Sequence, residues 1–414
     1  MLRSRRALWV SVFLFPPLGL ILLWRRSSLG VLWRIAGTLA IFIVAFIELI
    51  YVYGMRVEWN GAMQFTGVSF YSRTRHEARL EESRAQQRAR TPEPASSPAP
   101  PVEAARVSVV PAVDRTPAVI PRAYWTDFRG PNRAGVYAET EIDSAWPAAG
   151  LPRLWKQPVG GGYASFTVGE GRAYTIEQRR RLEAVTAYDM ETGHELWAFT
   201  YPALFDEPLG GPGPRATPVY HEGLIYSLGA MGDLYSLWAK TGKAKWSRNI
   251  LADNGAANVH WAMSGSPLIA DDKVIVTPGG AGGKSIVAYN RLTGEPIWRA
   301  LNDRAGYTSP ILATLAGRRQ IVWISGERAL GLAVDHGKLL WEFPFPAQMD
   351  MNCSQPVVVD DVNVFISSAP GPGAALLEIT RTGDAYAARP VWQNNRMKNK
   401  FNSSVLYQGY ILRL

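Results

Sequence analysis

A short glycine-to-tryptophan motif that returns along the chain constrains this sequence more than any other feature. The clearest copies are 187–197 (Ala-Tyr-Asp-Met-Glu-Thr-Gly-His-Glu-Leu-Trp) and 288–298 (Ala-Tyr-Asn-Arg-Leu-Thr-Gly-Glu-Pro-Ile-Trp). Successive tryptophans are separated by 49, 52, 43 and 51 residues. A repeat of this length indicates an array of equivalent supersecondary units. The motif residues are Gly193, Trp197, Gly242, Trp246, Gly294, Trp298, Gly337, Trp341, Gly383 and Trp392.

Each repeat has the pattern of four short strands. In the third copy, β-rich runs at 266–270, 273–278, 285–289 and 295–298 are separated by turn residues, and the order returns in the other copies. Such runs predict an antiparallel meander. The Gly supplies a positive φ for a tight turn, and the Trp supplies an apolar face that packs beside a neighbouring unit. The sequence therefore predicts an all-β propeller of four-stranded antiparallel blades, five complete and a sixth partial, with an ordinary sandwich as the alternative.

The consensus Ala-x-Asp-x-x-Thr-Gly-x-x-x-Trp resembles the tryptophan-docking motif of quinoprotein-type propellers. These pyrroloquinoline-quinone (PQQ) repeat proteins include the PQQ dehydrogenases and the outer-membrane assembly lipoprotein BamB. Residues 187–197 match every specified position, and 288–298 differ only by Asn290 in the Asp position. The other copies depart further, and the fifth is lengthened before Trp392. The resemblance covers roughly residues 124–414 and implies an eight-bladed ring.

The number of repeats falls short of that ring. A sixth repeat begins at Asn402, shortly before the last residue, Leu414. Upstream, 151–155 is similar to the last strand of a repeat that lacks its other three strands. An open ring exposes unpaired strand edges. We therefore interpret the propeller region, 123–414, as incomplete at its C-terminal end, as in a shortened copy of a longer protein; a genuinely shorter ring is the alternative.

Residues 1–56 predict a membrane anchor with one or two hydrophobic segments. The apolar runs are 7–24 and 35–53, and the second is long enough to span a bilayer. Arg25 and Arg34 lie between them, which predicts a cytoplasmic loop. A cleaved signal peptide is the alternative. The repeats are therefore expected on the periplasmic or extracellular side of the inner or cell membrane.

Residues 57–122 predict a disordered linker that is first charged and then rich in Pro and Ala, with a short solvated helix possible at 73–90. The first 122 residues hold 16 Arg, no Lys and 8 acidic residues, so they carry almost all of the net charge of +9. The repeat region is nearly neutral, which argues against a nucleic-acid partner.

Catalytic chemistry is hard to find in the repeats. PQQ dehydrogenases of the resembled family carry a vicinal Cys pair beside the cofactor, bind Ca²⁺ through Glu, Asn and Asp, and use an Asp as general base. This chain has a single cysteine, Cys353, and its acidic pairs 271–272 and 360–361 occupy predicted hairpin turns. We therefore assign no catalytic residue and no metal site and expect no cofactor; PQQ with Ca²⁺ is the alternative.

Connections between repeats are expected to cluster around one mouth of the propeller channel. Cationic and aromatic side chains there would form a funnel for an anionic ligand or an acidic peptide, and a solvated basic loop is the alternative. The candidate contacts are Arg215, His260, Trp261, Arg396 and Lys398.

The resemblance implies a membrane-anchored, extracytoplasmic propeller that acts as a non-catalytic, BamB-like scaffold. Its partners would be the membrane and a protein bound on the loop face. A PQQ-dependent oxidoreductase acting on an alcohol or a sugar is the alternative, and a lectin-like polysaccharide-binding role is a third possibility.

Overall fold

The computed structural model describes most of the chain and divides it into two compact units, Met1–Ala85 and Gln86–Leu414. The Pro/Ala-rich part of the predicted linker, 91–124, lies outside the described residues, as does the start of the first apolar run, 7–15. The described residues are 16–25, 29–59, 65–70, 72–90, 125–138, 141–207 and 210–413.

The first unit contains two apolar helices, α1 (Pro16–Trp24) and α2 (Val31–Tyr51). They approach closely, because a Cβ added at Gly37 would lie 2.9 Å from a methyl carbon of Leu23. With 21 residues, α2 is the one helix of the described part that is long and apolar enough to cross a membrane, judged by length and composition.

A short hairpin follows, formed by antiparallel strands β1 (Met55–Trp59) and β2 (Phe65–Phe70). The sequence predicted a linker from residue 57, and the structure differs there because the β-branched and aromatic residues of both runs favour strands. Helix α3 (Arg73–Arg90) occupies the stretch for which a short helix was considered.

The second unit is built from five four-stranded antiparallel sheets, each in simple sequence order, followed by a two-stranded start of a sixth. The all-β prediction with four-stranded blades is confirmed. Blade 1 consists of β3 (Thr167–Gly169), β4 (Arg172–Arg179), β5 (Leu182–Asp189) and β6 (Glu195–Pro202), and blade 2 of β7 (Val219–His221), β8 (Leu224–Leu228), β9 (Asp233–Trp238) and β10 (Ala244–Asn249). Blade 3 consists of β11 (Leu268–Ala270), β12 (Lys273–Val276), β13 (Ile286–Asn290) and β14 (Pro296–Ala300), and blade 4 of β15 (Ile311–Leu315), β16 (Arg318–Ile324), β17 (Arg328–Ala333) and β18 (Leu339–Pro344). Blade 5 consists of β19 (Val357–Val358), β20 (Asn363–Ser368), β21 (Gly373–Thr382) and β22 (Ala385–Asn394), and the sixth unit of β23 (Val405–Tyr407) and β24 (Tyr410–Leu412).

The first strands of blades 1 to 4 adjoin one another, which makes them the inner strands around a channel. Because each blade is an antiparallel meander, the connections between blades lie at one end of the channel, here called the loop end. The motif turns before the fourth strands lie at the other end, the turn end. A short helix, α4 (Ile250–Asn254), lies in the connection after blade 2. Buried residues such as Tyr226 of blade 2 and Val274 and Tyr289 of blade 3 share one core, so facing sheets pack directly.

Four tryptophans each dock on the motif turn of the next blade. The indole N–H donates to the main-chain carbonyl three residues before the motif glycine, and a Cβ on that glycine would lie 2.5–2.9 Å from the ring. The glycine also has a positive φ in each case. Gly therefore suits this position both because a Cβ would lie too close to the ring and because the backbone is left-handed. The N–H···O pairs are Trp155 with Met190 (2.9 Å), Trp197 with Ala239 (3.0 Å), Trp246 with Arg291 (2.9 Å) and Trp298 with Val334 (3.1 Å).

Trp155 behaves like the repeat tryptophans although its segment is not a strand. The sequence pattern makes 151–155 similar to the last strand of a repeat whose other three strands are missing, and in the structure these residues have no strand pairing. The described residues before them supply no blade in which they could pair. Docking on Gly193 therefore does not require the tryptophan to sit in a sheet.

The interface between blades 4 and 5 departs from this pattern. The Trp341 indole N–H donates to Gln320 Oε1 of its own blade at 2.6 Å. Gly383 has φ 60° but no heavy atom within 4 Å of an added Cβ. The docking predicted for this pair is wrong, because β21 and β22 are ten residues long and carry the Gly383 turn away from blade 4. Trp392 packs instead on Phe365 of its own blade, 6.1 Å between ring centroids.

Candidate functional site in the channel and at its rim

A belt of hydrogen bonds joins six successive units just ahead of their inner strands. The main-chain N–H of each belt residue donates to the side-chain oxygen of the next at 2.9–3.0 Å. Gln355 continues the belt through its amide, whose orientation follows from its hydrogen bonds: Oε1 accepts from Ser309 N at 3.0 Å and Nε2 donates to Ser309 O at 2.8 Å. The belt residues are Ser165, Thr217, Ser266, Ser309, Gln355 and Ser403.

The segment 125–134, here called the plug, runs along the inner strands. The Trp125 carbonyl accepts from Val168 N of blade 1 at 2.7 Å, and the Thr126 carbonyl accepts from Tyr220 N of blade 2 at 2.9 Å. These bonds satisfy donors on the channel-facing edges of β3 and β7, which other strands do not reach.

Arg133 extends the plug to the next two blades. Its guanidinium, in a residue 3% exposed, donates to the carbonyls of Ser266 (3.1 Å), Pro310 (2.7 Å) and Pro267. A carboxylate oxygen of Asp127 lies 2.8 Å away and supplies the counter-charge. A buried guanidinium needs such complete pairing. The plug therefore lies along the channel-facing side of blades 1 to 4.

A ring of side chains, here called the rim, lies two positions before each belt residue, at the loop end. The Arg215 guanidinium lies 4.6 Å from the Phe205 ring centroid and 5.4 Å from that of Tyr163. Lys400 Nζ lies 4.9 Å from the ring centroid of Phe401, which is 79% exposed. Cations stacked on aromatic rings hold both groups in defined positions. The rim residues are Tyr163, Arg215, Ser264, Tyr307, Cys353 and Phe401.

The electrostatics of the rim follow from burial. Burial lowers the pKa of the Arg215 guanidinium, and Glu207 Oε1 at 3.9 Å opposes that shift. Burial raises the pKa of the Tyr307 hydroxyl and raises that of the Cys353 thiol to about 11. Cys353 is therefore a neutral thiol at physiological pH and not the nucleophilic thiolate form.

Two of the predicted contacts belong to one aromatic group beside the rim. Trp261 lies 5.8 Å from Tyr307 between ring centroids, and its main-chain N–H donates to Tyr307 Oη at 3.4 Å. His260 is exposed, with its ring 4.6 Å from that of Trp261. Arg215 is separate from this group and sits on the rim as described.

The remaining predicted contacts, Arg396 and Lys398, are exposed in the connection to the sixth unit. The next residue, Asn399, is buried and donates to Ser404 Oγ at 2.9 Å, which fixes the loop. The aromatic rim residues Tyr163, Tyr307 and Phe401 escaped sequence reasoning. Their signal is positional, because each stands two residues before a belt residue.

A family profile described as "Outer membrane protein assembly factor BamB" matches residues 181–412. The chain belongs to this family. A BamB from Burkholderia pseudomallei (strain K96243) is 22% identical over 263 residues, which are 60% of this chain and 59% of that relative. The chain thus spans less than two thirds of the length of the curated relative that it matches.

Solved structures similar to this BamB-family chain include BamB from Moraxella catarrhalis, with TM-score 0.42 and 14% identity, covering 62% of this chain and 68% of that one. A quinohemoprotein alcohol dehydrogenase from Comamonas testosteroni has TM-score 0.37 and 18% identity, covering 53% of this chain and 40% of that one. The family match and the blade architecture identify a PQQ-like β-propeller.

The residues of this BamB-family chain do not fit a PQQ and calcium centre. The plug, pinned by Arg133, lies against the channel-facing side of blades 1 to 4 and takes up part of the channel. Cys353 has no second cysteine to pair with. Within the described ranges, no group of three or more His, Cys, Asp or Glu side chains is placed to hold a metal ion.

Proposed function

We propose that this BamB-family protein is a membrane-anchored extracytoplasmic scaffold that binds a protein partner through its rim. The observation that carries the proposal is the rim, where exposed aromatic rings are stacked with cations at the loop end. The side chains open to a large partner at that end are those of the rim and its neighbours.

The rim chemistry supports a protein ligand. Tyr163 is 66% exposed and Phe401 is 79% exposed, and each has a cation on its ring. Aromatic residues and arginine are enriched in protein interfaces, where a few of them carry most of the binding energy. Exposed Arg396 and Lys398 beside Phe401 add positive charge, which favours an acidic segment of the partner.

The membrane side of the proposal rests on α2 and on charge. Arg25 and Arg34 flank the connection before α2, which favours a cytoplasmic N-terminal side and an extracytoplasmic propeller. We propose residues 1–56 as the anchor, 57–122 as the spacer and 123–414 as the propeller. The curated relative is named as an outer membrane protein assembly factor. We propose a protein of that assembly process as the partner.

Site-specific photo-crosslinking in intact membranes tests this proposal. A photoreactive amino acid replaces Tyr163 or Phe401 at the rim, and Lys338 at the turn end is the matched control. We expect a discrete protein adduct from both rim positions and none from Lys338. Equal crosslinking from Lys338 would contradict the rim as the interface.

The oxidoreductase alternative is tested on the same protein. Full-length protein in detergent is incubated with PQQ, Ca²⁺, an alcohol or sugar and a redox dye. We expect no dye reduction above that of a protein-free control. Reduction that depends on the protein would replace the scaffold proposal.

A further inference from the structure

A cavity of about 520 Å³ lies in the channel beside the plug. One wall is formed by inner-strand residues of blades 4 and 5, 311–314 and 356–358, together with Leu406 of the sixth unit and Arg319, whose charge is paired with Asp271 at 2.7 Å. The other wall is the plug. These strand residues follow the belt residues in sequence, so the cavity lies on the turn-end side of the belt, away from the rim. Its size is that of a site for a small organic ligand.

Arg129 of the plug lines this cavity and has an unusual set of partners. Its guanidinium donates to the main-chain carbonyls of Arg133 (3.3 Å), Ala134 (3.2 Å) and Ser404 (2.9 Å). Among the residues that the structure describes, no carboxylate pairs with it, whereas Arg133 has Asp127. Burial consequently lowers the pKa of the Arg129 guanidinium. A partly buried cation without a counter-ion is a position where an anion is stabilised.

The plug holds this arginine in a strained backbone. Arg129, Asn132 and Arg133 have φ values of 63°, 54° and 57°, all in the left-handed region. Residues other than Gly are strained in this region and tend to cluster at functional sites. Asn132 also lines the cavity, so the strained segment presents both a cation and an amide to the same space.

We infer that this cavity binds an organic carboxylate with a compact apolar body. A carboxylate complements the charge of the Arg129 guanidinium, whose Nη1 donates to no described residue. Leu312, Val357 and Leu406 supply aliphatic walls for the apolar body. A free small acid and the carboxyl terminus of a polypeptide share this chemistry. The inference concerns a different surface from the rim and stands independently of the scaffold function.

Isothermal titration calorimetry of the full-length protein in nanodiscs tests the site with 3-phenylpropionate and its uncharged isostere 3-phenylpropanamide. We expect the acid to bind about tenfold or more tightly than the amide, because only the acid pairs with Arg129. Arg129→Gln is expected to abolish that preference. Arg304→Gln, which changes an exposed arginine outside the cavity lining, is the matched control and is expected to leave binding unchanged.

A second variant keeps the charge of Arg129 and fills the space of the cavity. Ala134 is exposed to the cavity, and Ala134→Phe is expected to eliminate binding while Arg129 stays in place. This variant decides the matter if Arg129→Gln fails to fold, as judged by circular dichroism. Equal affinity for acid and amide, binding that survives Ala134→Phe, or no binding of the acid at millimolar concentration would overturn the inference.

The two sources of a carboxylate are separated with the peptide Val-Val-Phe, carrying either a free or an amidated carboxyl terminus. Tighter binding of the free peptide than of 3-phenylpropionate, lost on amidation, assigns the site to polypeptide termini. Binding of 3-phenylpropionate without binding of either peptide assigns it to free acids.

Discussion

The interface between blades 3 and 4 and the interface between blades 4 and 5 start from the same sequence motif and end in different structures. Trp298 lies under Gly337 and donates to the Val334 carbonyl. Trp341 is also buried but donates to Gln320 of its own blade, and a Cβ added at Gly383 would meet nothing within 4 Å. The motif specifies the tryptophan side of an interface. The length of the last hairpin in the next blade decides whether the glycine of that blade lies within reach of the tryptophan.

The largest expected difference is between two glycine substitutions. In Gly337→Ala the new Cβ would lie 2.6 Å from the Trp298 ring at φ 69°, so overpacking and backbone strain add, and we expect a loss of about 4 kcal/mol in the free energy of unfolding. In Gly383→Ala only the strain at φ 60° applies, and we expect a loss of about 1 kcal/mol. Urea denaturation measures both, and equal losses would show that the two interfaces are alike.

A second prediction concerns the Trp341 indole. Gln320→Leu removes its acceptor and leaves a buried N–H unpaired, so we expect a loss of about 2 kcal/mol. Combined with Trp341→Phe, the part of the cost that comes from the unpaired indole N–H should vanish in a double-mutant cycle, leaving the loss of the bonds that Gln320 Nε2 donates to the Leu315 and Arg318 carbonyls. Combined with Trp298→Phe, whose acceptor is a main-chain carbonyl, the two costs should add. Additivity in both cycles would refute the assignment of the Trp341 partner.

The belt should make the two interfaces alike again. Gln355→Leu removes two hydrogen bonds to Ser309 between blades 4 and 5, and we expect a loss of about 1.5 kcal/mol. Ser309→Ala removes one acceptor, for the Ser266 N–H between blades 3 and 4, with an expected loss of about 1 kcal/mol. Thermal unfolding compares them, and a neutral Gln355→Leu would mean that the belt is interrupted there.

The smallest expected effect is a pH dependence at the docked interface of blades 1 and 2. Glu183 is fully buried, accepts from Tyr201 Oη at 2.5 Å and from Ala230 N at 2.9 Å, and burial raises its pKa. The native state therefore keeps a proton that the unfolded state has lost above about pH 4.3. Stability should fall as pH rises from there through the raised native pKa.

Glu183→Gln keeps both hydrogen-bonding partners, because its amide oxygen accepts from Ala230 N and its NH₂ group donates to Tyr201 Oη. We expect this variant to lose the decline in stability between about pH 4.3 and neutrality. Unfolding midpoints measured across that window in wild type and variant provide the test. An unchanged slope would place the titration elsewhere.

Much of the fold follows from the sequence because the residues that define each repeat lie close together in the chain. A Gly with positive φ, a turn and a Trp lie within one hairpin, so the third repeat could be divided into strands that match β11 to β14. The failures arise where a partner is remote. Nothing local tells that the long hairpin of blade 5 carries Gly383 away from Trp341.

The site was less predictable for a related reason. Arg215 and Trp261 were selected as polar or aromatic residues ahead of strand-opening prolines, and the structure places them on or beside the rim. The plug was not predicted as part of a site. Its role depends on Arg133 reaching carbonyls more than 130 positions away, a distance that no periodicity encodes.

The plug also implies an order of folding events during synthesis. Arg129 donates to the Ser404 carbonyl across 275 positions, so this bond waits until nearly all of the described chain has left the ribosome. Blades form from neighbouring residues and can fold one after another, whereas closing so long a loop is slow. A nascent chain is therefore expected to carry folded early blades before the plug is fixed against their inner strands. At that stage a chaperone would find the inner strand edges uncovered.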